Sequence, residues 1–238
     1  MGFIQDIKPI FKKNNIKLRE KIQEDNHIFT FIFEKSDQLN WKAGQHGVFS
    51  IAHRKVNKPT RPFSIASAAS EDKIQISMQI TNNPSEFKQA MLELEPGMEI
   101  CMRGPIGPMY IDSPQKPTLF IAGGLGITPF RAIIKDLTSQ NHNEPIYTLF
   151  YIDSSENFLY SNELDELAIK HPSINVQYYQ KRNSLYNDIS TYITSNGNKG
   201  YYYAAGTQTM VASISNFLKS KNVKKGNIKK DIFRGYKS

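Results

Sequence analysis

The chain has 238 residues, enough for one large domain or two of ordinary size, and 39% of them are hydrophobic. Its single cysteine, Cys101, excludes an intramolecular disulfide framework and an iron–sulfur cluster ligated by this chain alone. The net charge of +8 and the pI near 9.3 favour anionic partners such as nucleotides or an acidic protein, although solvated surface lysines would give the same charge.

The first half of the sequence consists mainly of short alternating segments. The predicted strands are residues 16–22, 27–33, 48–52, 73–80 and 98–103. Residues 73–80 show the alternation most clearly, since isoleucine or methionine occupies every second position. One short helix is predicted after Ser85, a good N-cap residue, and Pro96-Gly97 ends it. Short strands separated by turns favour an antiparallel β-barrel or sandwich.

The pattern changes after the linker-like residues 112–117. Strands are predicted at residues 118–122, 146–152, 174–179 and 201–205, and apolar residues at helical spacing follow three of them. Strands that alternate with helices predict a parallel sheet covered on both faces, an α/β domain. We therefore predict two domains, residues 1–114 and residues 115–238.

Three segments carry candidate site residues. The first combines Arg61, Pro62, Phe63 and Ser64 in one extended segment, which suits a planar cofactor that bears phosphate. Such a tetrapeptide can equally be a turn that leads into a strand.

The second segment places Gly123, Gly124 and Gly126 at a strand end, where the backbone can approach a ligand closely. Thr128 is expected to cap the next helix with Pro129 at its first position, and the helix N-terminus would then face a pyrophosphate. Glycines used only for tight packing are the alternative. The third segment, Ala205-Gly206, follows the same logic at another strand end, so a shared crevice is predicted.

Together these motifs resemble the ferredoxin–NADP⁺ reductase superfamily, and in particular its compact bacterial members that lack an iron–sulfur domain. The resemblance covers nearly the whole chain from Trp41 onward. The matching segments are Arg61–Ser64, Ser85-Glu86-Phe87-Lys88, Gly104-Pro105-Ile106-Gly107, Gly123 to Pro129, Gly206 to Met210, and Asp231-Ile232-Phe233-Arg234-Gly235-Tyr236.

The resemblance implies FAD and NAD(P)H as cofactors. Arg61 would pair with the FAD pyrophosphate, Phe63 would stack on the flavin, and Ser85 would add donors to the pyrophosphate. Ser64 would form a hydrogen bond with the flavin ring nitrogen that accepts hydride. Asp231 would take part in protonation near the flavin, unless it is a plain surface carboxylate. The remaining implied cofactor-binding residues are Pro62, Gly123, Gly124, Gly126, Thr128, Pro129, Gly206, Met210 and Phe233.

Three positions depart from the family pattern. Phe63 replaces a common tyrosine and cannot donate a hydrogen bond, Ala205 replaces the cysteine of plant-type members, and Asp231 replaces a common glutamate. For the nucleotide, the acidic residues in Asp153-Ser154-Ser155-Glu156 argue against a 2′-phosphate, while Lys181-Arg182 could reverse that preference. We expect NADH.

The predicted function is an FAD-dependent NAD(P)H oxidoreductase that passes hydride to bound FAD and then electrons to a separate acceptor. The acceptor would be a ferredoxin- or flavodoxin-like protein or another acidic redox protein. Its docking face could be a set of carboxy-terminal lysines, which could equally be solvated: Lys219, Lys221, Lys224, Lys225, Lys229 and Lys230. The alternatives are a flavin reductase that releases reduced free flavin and a non-catalytic flavin- or nucleotide-sensing module.

Other partners and sites are not expected. The five histidines are scattered, so we predict no metal site. No apolar run approaches the ~20 residues of a membrane helix, and the amino-terminal 15 residues do not resemble a signal peptide. We therefore expect a soluble, cytoplasmic protein that neither inserts into a membrane nor binds nucleic acid.

Overall fold

The computed structural model describes residues 12–112, 114–139 and 146–233. The chain divides into two compact units, one that runs to Tyr110 and one that begins at Ile111. The boundary predicted after residue 114 lies a few residues further along the chain.

The first unit is a six-stranded antiparallel sheet with one short helix. Its strands and helix are β1 (Lys13–Gln23), β2 (Ile28–Glu34), β3 (His46–Ser50), β4 (Thr60–Ser64), β5 (Lys73–Gln79), α1 (Glu86–Leu92) and β6 (Glu99–Ile106). The strands lie in the order β4-β3-β6-β1-β2-β5. Just after β4, the Ala66 N–H donates to the Gln75 carbonyl at 2.7 Å, which brings the two edge strands together. The predicted antiparallel β-barrel domain is confirmed.

The barrel interior explains the alternating sequence of its strands. Ile74, Ile76 and Met78 of β5 are fully buried and join a core that contains Phe31 and Phe33 of β2. The opposite face of β5 is also covered, and there the Ser77 and Thr30 hydroxyls lie 2.7 Å apart. These buried polar groups therefore bond each other across the strands.

The second unit is a five-stranded parallel sheet covered by helices, as predicted. Its elements are β7 (Thr118–Gly123), α2 (Ile127–Ser139), β8 (Tyr147–Ile152), α3 (Ser161–Lys170), β9 (Ile174–Tyr179), α4 (Arg182–Asn196), β10 (Tyr201–Thr207), α5 (Gln208–Ser220) and β11 (Ile228–Phe233). The strand order is β11-β10-β7-β8-β9. Leu119 and Ile121 of β7 belong to one core with residues of α4 and α5, while Phe120 packs against Phe130 of α2. A strand that is buried on both faces accounts for its continuous apolar sequence.

The strand order creates a switch point between β7 and β10. The chain proceeds from β7 to β8 and β9 on one side, and then returns to place β10 and β11 on the other side. Since the helices that follow β7 and β10 pack on opposite faces, the two connections diverge and leave a crevice at the carboxyl edge of the sheet.

The elements α4 and β11 were not predicted, and β4 was predicted only as an extended segment. In addition, no helix within the described ranges is long and apolar enough to cross a membrane, and no group of three or more metal-ligating side chains occurs there. Residues 1–11, which make up most of the amino-terminal stretch that was compared with a signal peptide, lie outside the described residues.

Candidate functional site

The crevice of the second unit has a volume of about 230 Å³. The ends of β7, β8, β9 and β10 form its floor, and α4 and α5 form its walls. Polar lining groups come from four segments and are Asp153, Ser154, Gln180, Arg182, Thr207 and Ser213. Apolar lining groups include Ile152, Leu185, Tyr186, Met210 and Ile214.

The predicted glycines divide into two kinds. Gly124 lines the crevice with φ +52°, and a Cβ there would meet only Asp153 Oδ2, at 3.8 Å. By contrast, a Cβ on Gly126 would lie 2.1 Å from the Ala205 carbonyl oxygen. Gly126 therefore allows β10 to approach, which is the packing role left open as an alternative, and Gly124 keeps the crevice open.

Gly123 and Gly206 lie beneath one side chain. A Cβ on Gly123 would lie 2.0 Å from Met210 Sδ, and a Cβ on Gly206, at φ +150°, would lie 3.2 Å from the same sulfur. Met210 also lines the crevice. The two motifs at the ends of β7 and β10 therefore meet under the Met210 thioether.

The prediction that Thr128 caps its helix was wrong. A 3₁₀ turn over Gly124–Gly126 leads directly into α2 at Ile127, so helical backbone begins before Thr128. The Thr128 side chain is buried and its hydroxyl donates to the Leu125 carbonyl at 3.0 Å. The prediction that Pro129 takes the first helical position was also wrong, because α2 begins at Ile127 and Pro129 is its third residue. Pro129 is buried in the first turn of the helix, where the backbone N–H groups have no helical acceptor, so its missing N–H costs no hydrogen bond.

Thr207 is a cap that the sequence analysis missed. It is the N-cap of α5, and its hydroxyl accepts from the Met210 N–H at 3.4 Å. A threonine three residues before the first apolar position of a helix was an available signal. The unpredicted α4 contributes Arg182, Leu185 and Tyr186 to the crevice wall.

Asp153 presents a fixed carboxylate to the crevice. Its Oδ1 accepts from the Ser155 N–H at 2.8 Å and from the Ser155 hydroxyl at 2.5 Å. Its Oδ2 lies toward Gly124. The exposed Arg182, the first residue of α4, supplies a cation to the same crevice. A carboxylate for ribose hydroxyls, a cation for phosphate and a glycine backbone together suit a nucleotide.

The first unit carries the Arg61 motif on β4, next to α1. The Arg61 guanidinium donates to the carbonyls of Lys58 and Thr60 at 3.2 and 2.8 Å and lies 5.7 Å from the Phe87 ring. Within the described part of the chain no carboxylate pairs with Arg61. The Phe63 ring stacks on Phe87 with centroids 5.8 Å apart and remains partly exposed, while Pro62 is exposed. A cation and a partly open aromatic ring on one strand face suit a phosphorylated planar ligand.

Ser64 ends β4 beside two other segments. It is 8% exposed and pairs across the sheet with His46 of β3. A Cβ on Gly107, at φ +104°, would lie 2.6 Å from His46 Nδ1, so the loop after Pro105 closes over the imidazole. The next N–H, that of Ile65, donates to the Gln45 carbonyl at 3.0 Å. The backbone around Ser64 is therefore held in place on both sides.

The second predicted phosphate segment lies on α1. Ser85 is the N-cap, as predicted, but its exposed hydroxyl makes no cap hydrogen bond. Lys88, three residues on, has a pKa below its ordinary value because burial removes water from the ammonium group and the Arg61 charge lies nearby.

Asp231 and Phe233 lie on β11 beside the crevice strand. Asp231 pairs with Ala205 and Phe233 pairs with Thr207, so both lie at the carboxyl edge of the sheet. Asp231 is half-buried. The rest of the predicted terminal motif, Arg234, Gly235 and Tyr236, lies outside the described residues.

Comparison with protein families matches both units of the chain. The FAD-binding domain family matches residues 11–126, and the oxidoreductase NAD-binding domain family matches residues 120–216. The two family models together match residues 11–216, and the chain belongs to the ferredoxin–NADP⁺ reductase superfamily. The predicted cofactors FAD and NAD(P)H are confirmed at the level of the domains, because one domain matches an FAD-binding family and the other an oxidoreductase NAD-binding family.

Individual relatives in the superfamily are distant. The toluate 1,2-dioxygenase electron transfer component of Pseudomonas putida is 22% identical over 202 residues, which cover 81% of this chain and 60% of that protein. Methane monooxygenase component C of Methylosinus trichosporium is 28% identical over 118 residues, which cover 49% of this chain and 35% of the relative. The chain thus spans between about a third and three fifths of these relatives.

A solved structure shares the fold over nearly its whole length. Ferredoxin–NADP⁺ reductase from Plasmodium falciparum superposes with a TM-score of 0.81 at 19% identity, covering 93% of this chain and 96% of that one. At this identity the likeness shows a shared fold alone.

Proposed function

We propose that this protein takes hydride from a nicotinamide nucleotide onto bound FAD and delivers the electrons to a separate acceptor. The observation that carries the proposal is that one chain holds two sites, one suited to a phosphorylated planar ligand and one suited to a nucleotide. The barrel presents Arg61 without a carboxylate partner in the described ranges, next to the partly open ring of Phe63. The parallel sheet presents a crevice with Asp153 and Arg182.

In the crevice, the residues would bind and orient the nucleotide. Asp153 accepts hydrogen bonds from ribose hydroxyls, because Ser155 holds the other carboxylate oxygen. Arg182 offers paired donors to phosphate. Gly124 leaves room for the nucleotide to approach the backbone, and Met210 supplies apolar contact. The carboxylate would repel a 2′-phosphate, so we propose NADH as the preferred donor.

In the barrel, the residues would hold the flavin. Arg61 pairs with the pyrophosphate, Phe63 contacts the ring system, and Ser64 donates its hydroxyl to the ring nitrogen that accepts hydride. Bound FAD supplies the chemistry of accepting a hydride and releasing electrons, and the protein supplies binding and orientation. Asp231, at the edge of the second sheet, is the proposed proton-exchanging carboxylate.

The acceptor is proposed to be another redox protein. The names of the two relatives above describe an electron transfer component and an oxygenase component, which supports a protein partner. The predicted lysine face is a poor docking candidate, because none of its six lysines lines the crevice. Lys229, moreover, forms an ion pair with Asp112 at 2.5 Å. We therefore favour the solvated interpretation of these lysines.

Gel filtration of the purified protein tests the proposal against its alternatives. We expect FAD to co-elute with the protein and to stay bound through the column. Colourless protein that cannot be reconstituted with FAD would contradict the proposal. Flavin that is reduced and then leaves on every turnover would instead support the free-flavin reductase. Bound FAD that no nicotinamide nucleotide reduces would support the sensing module.

A further inference from the structure

The Met210 thioether lies over the floor of the crevice. Met210 is partly exposed and lines the crevice from the first turn of α5. A Cβ on Gly123 would lie 2.0 Å from its sulfur, and a Cβ on Gly206 would lie 3.2 Å from it. The sulfur therefore occupies the room that glycine leaves at both positions. Backbone fills the space beneath the sulfur, and the open side of the side chain is the crevice.

The other methionines in the described ranges are poorer targets for an oxidant. Four of them are at most 3% exposed, namely Met78, Met91, Met102 and Met109. Met98 is partly exposed, but it packs against the barrel core and its sulfur accepts a hydrogen bond from the Glu95 N–H at 3.3 Å. Because an oxidant must reach the sulfur, we expect Met210 to react before these five.

We propose that Met210 is a reversible oxidation site and that its sulfoxide weakens nucleotide binding in the crevice. The inference rests on the proposed function and adds a means of regulating it. The oxidant is hydrogen peroxide. The sulfur lone pair attacks one peroxide oxygen, the O–O bond breaks, and the second oxygen leaves as water with both protons. Sulfur is oxidised by two electrons, and a methionine sulfoxide reductase with a dithiol as reductant removes the added oxygen as water.

The position of the sulfur determines the effect of oxidation. Since backbone lies beneath the sulfur, the sulfoxide oxygen must project into the crevice or the whole side chain must rotate out of its seat. Met210 and Ile214 lie one turn apart on α5 and both supply apolar lining. Oxidation replaces part of this apolar lining with a larger polar group. A nucleotide that covered the sulfoxide oxygen would strip it of water, so binding becomes less favourable.

The first measurement follows oxidation by peptide mass spectrometry. Full-length FAD-loaded protein is treated with hydrogen peroxide, with and without tetrahydro-NAD, a nicotinamide nucleotide analogue that cannot donate hydride. We expect Met210 to gain one oxygen before Met98 does. The bound analogue should slow the oxidation of Met210 and leave that of Met98 unchanged, because only Met210 lies in the crevice.

The second measurement is calorimetric titration of the same protein with tetrahydro-NAD after peroxide has been removed. We expect oxidation to raise the Kd about 10-fold, and methionine sulfoxide reductases with dithiothreitol to reverse the rise. Met210→Leu should have the same Kd before and after peroxide treatment. Met98→Leu is the matched control and should respond to peroxide as the wild type does. Met210→Leu retains Cys101, so a loss of affinity through that thiol would persist in this variant.

Three results would overturn the inference in a protein that binds the analogue. Oxidation of Met98 ahead of Met210 would show that peroxide does not reach the sulfur in the crevice. A Met210 sulfoxide with an unchanged Kd would show that the crevice tolerates the added oxygen. An equal loss of affinity in Met210→Leu would assign the effect to another residue. Failure of the untreated wild type to bind tetrahydro-NAD would instead overturn the proposed function, and it would be seen before any peroxide is added.

Discussion

Two glycines of one motif serve different purposes, which single substitutions separate. Gly124→Ala places a methyl group at φ +52° facing the crevice, with Asp153 Oδ2 3.8 Å away. We expect a loss of about 1–2 kcal/mol in the free energy of unfolding from the left-handed backbone, together with weaker NADH binding. Gly126→Ala forces a methyl group to 2.1 Å from a backbone oxygen of β10, so about 3 kcal/mol or more should be lost.

Urea unfolding and NADH titration of both variants check this division. The FAD content should be unchanged in Gly124→Ala, because that residue belongs to the second unit. If Gly126→Ala proved as stable as the wild type, the close approach of β10 would be refuted. If Gly124→Ala bound NADH normally, Gly124 would not belong to the nucleotide site.

Asp153 is the residue on which donor choice should depend. Asp153→Asn retains an acceptor for Ser155 and removes the negative charge from the crevice. We expect the ratio of kcat/KM for NADH to that for NADPH to fall about 10-fold, because repulsion of the 2′-phosphate is lost. Glu156→Gln is the matched control, since Glu156 is exposed and does not line the crevice. Equal ratios in the two variants would place donor choice elsewhere.

At the scale of single residues, the sequence located the motifs more reliably than it assigned roles within them. Glycine marks a close backbone approach, but it does not show whether the neighbour is a ligand or another strand. The roles of Gly124 and Gly126 can be distinguished only from their neighbours in the folded structure. The same limit applies to Thr128, whose hydroxyl faces inward because the preceding 3₁₀ turn starts the helix early.

At the scale of elements, two strands of the parallel sheet carry tyrosines that respond to alkaline pH. Burial raises the pKa of Tyr147 to about 12, and its hydroxyl donates to the Pro114 carbonyl. Burial also raises the pKa of Tyr202 to about 12, and its hydroxyl donates to the Gly197 carbonyl at 2.8 Å. Because the folded pKa exceeds the ordinary value of 10, the stabilisation is complete below pH 10 and is lost as pH rises towards 12.

Thermal unfolding across this pH range tests the expectation. Tyr147→Phe should be less stable at neutral pH by about 0.5–1.5 kcal/mol, because the Pro114 carbonyl loses its donor. The same variant should lose less stability than the wild type between pH 10 and pH 12. An equal alkaline loss in the variant would contradict an elevated pKa of Tyr147.

The elements that the sequence did not predict have identifiable causes. The α4 sequence is rich in asparagine, serine, threonine and tyrosine, which favour helices weakly, and only Leu185 and Ile189 are buried. β11 is an edge strand with alternating intermediate and exposed residues and three charged side chains, so it resembles a solvated tail. Tertiary packing stabilises both elements, and the local sequence pattern contains no information on that packing.

At the scale of the whole molecule, the two-domain architecture was predictable because the hydrophobic period changes along the chain. Strands alone precede residue 112 apart from one short helix, and strands alternate with helices after it. The crevice could be placed at strand ends for the same reason. The α4 wall of the crevice and the close approach of Gly126 to Ala205 depend on contacts between distant segments and required the structure.

Anaerobic titration of the FAD-loaded protein with NADH tests the central claim most directly. We expect stoichiometric NADH to bleach the visible absorbance of bound FAD, NADPH to do so less efficiently, and the flavin to stay with the protein. Bound FAD that neither nucleotide bleaches would contradict the proposed hydride transfer.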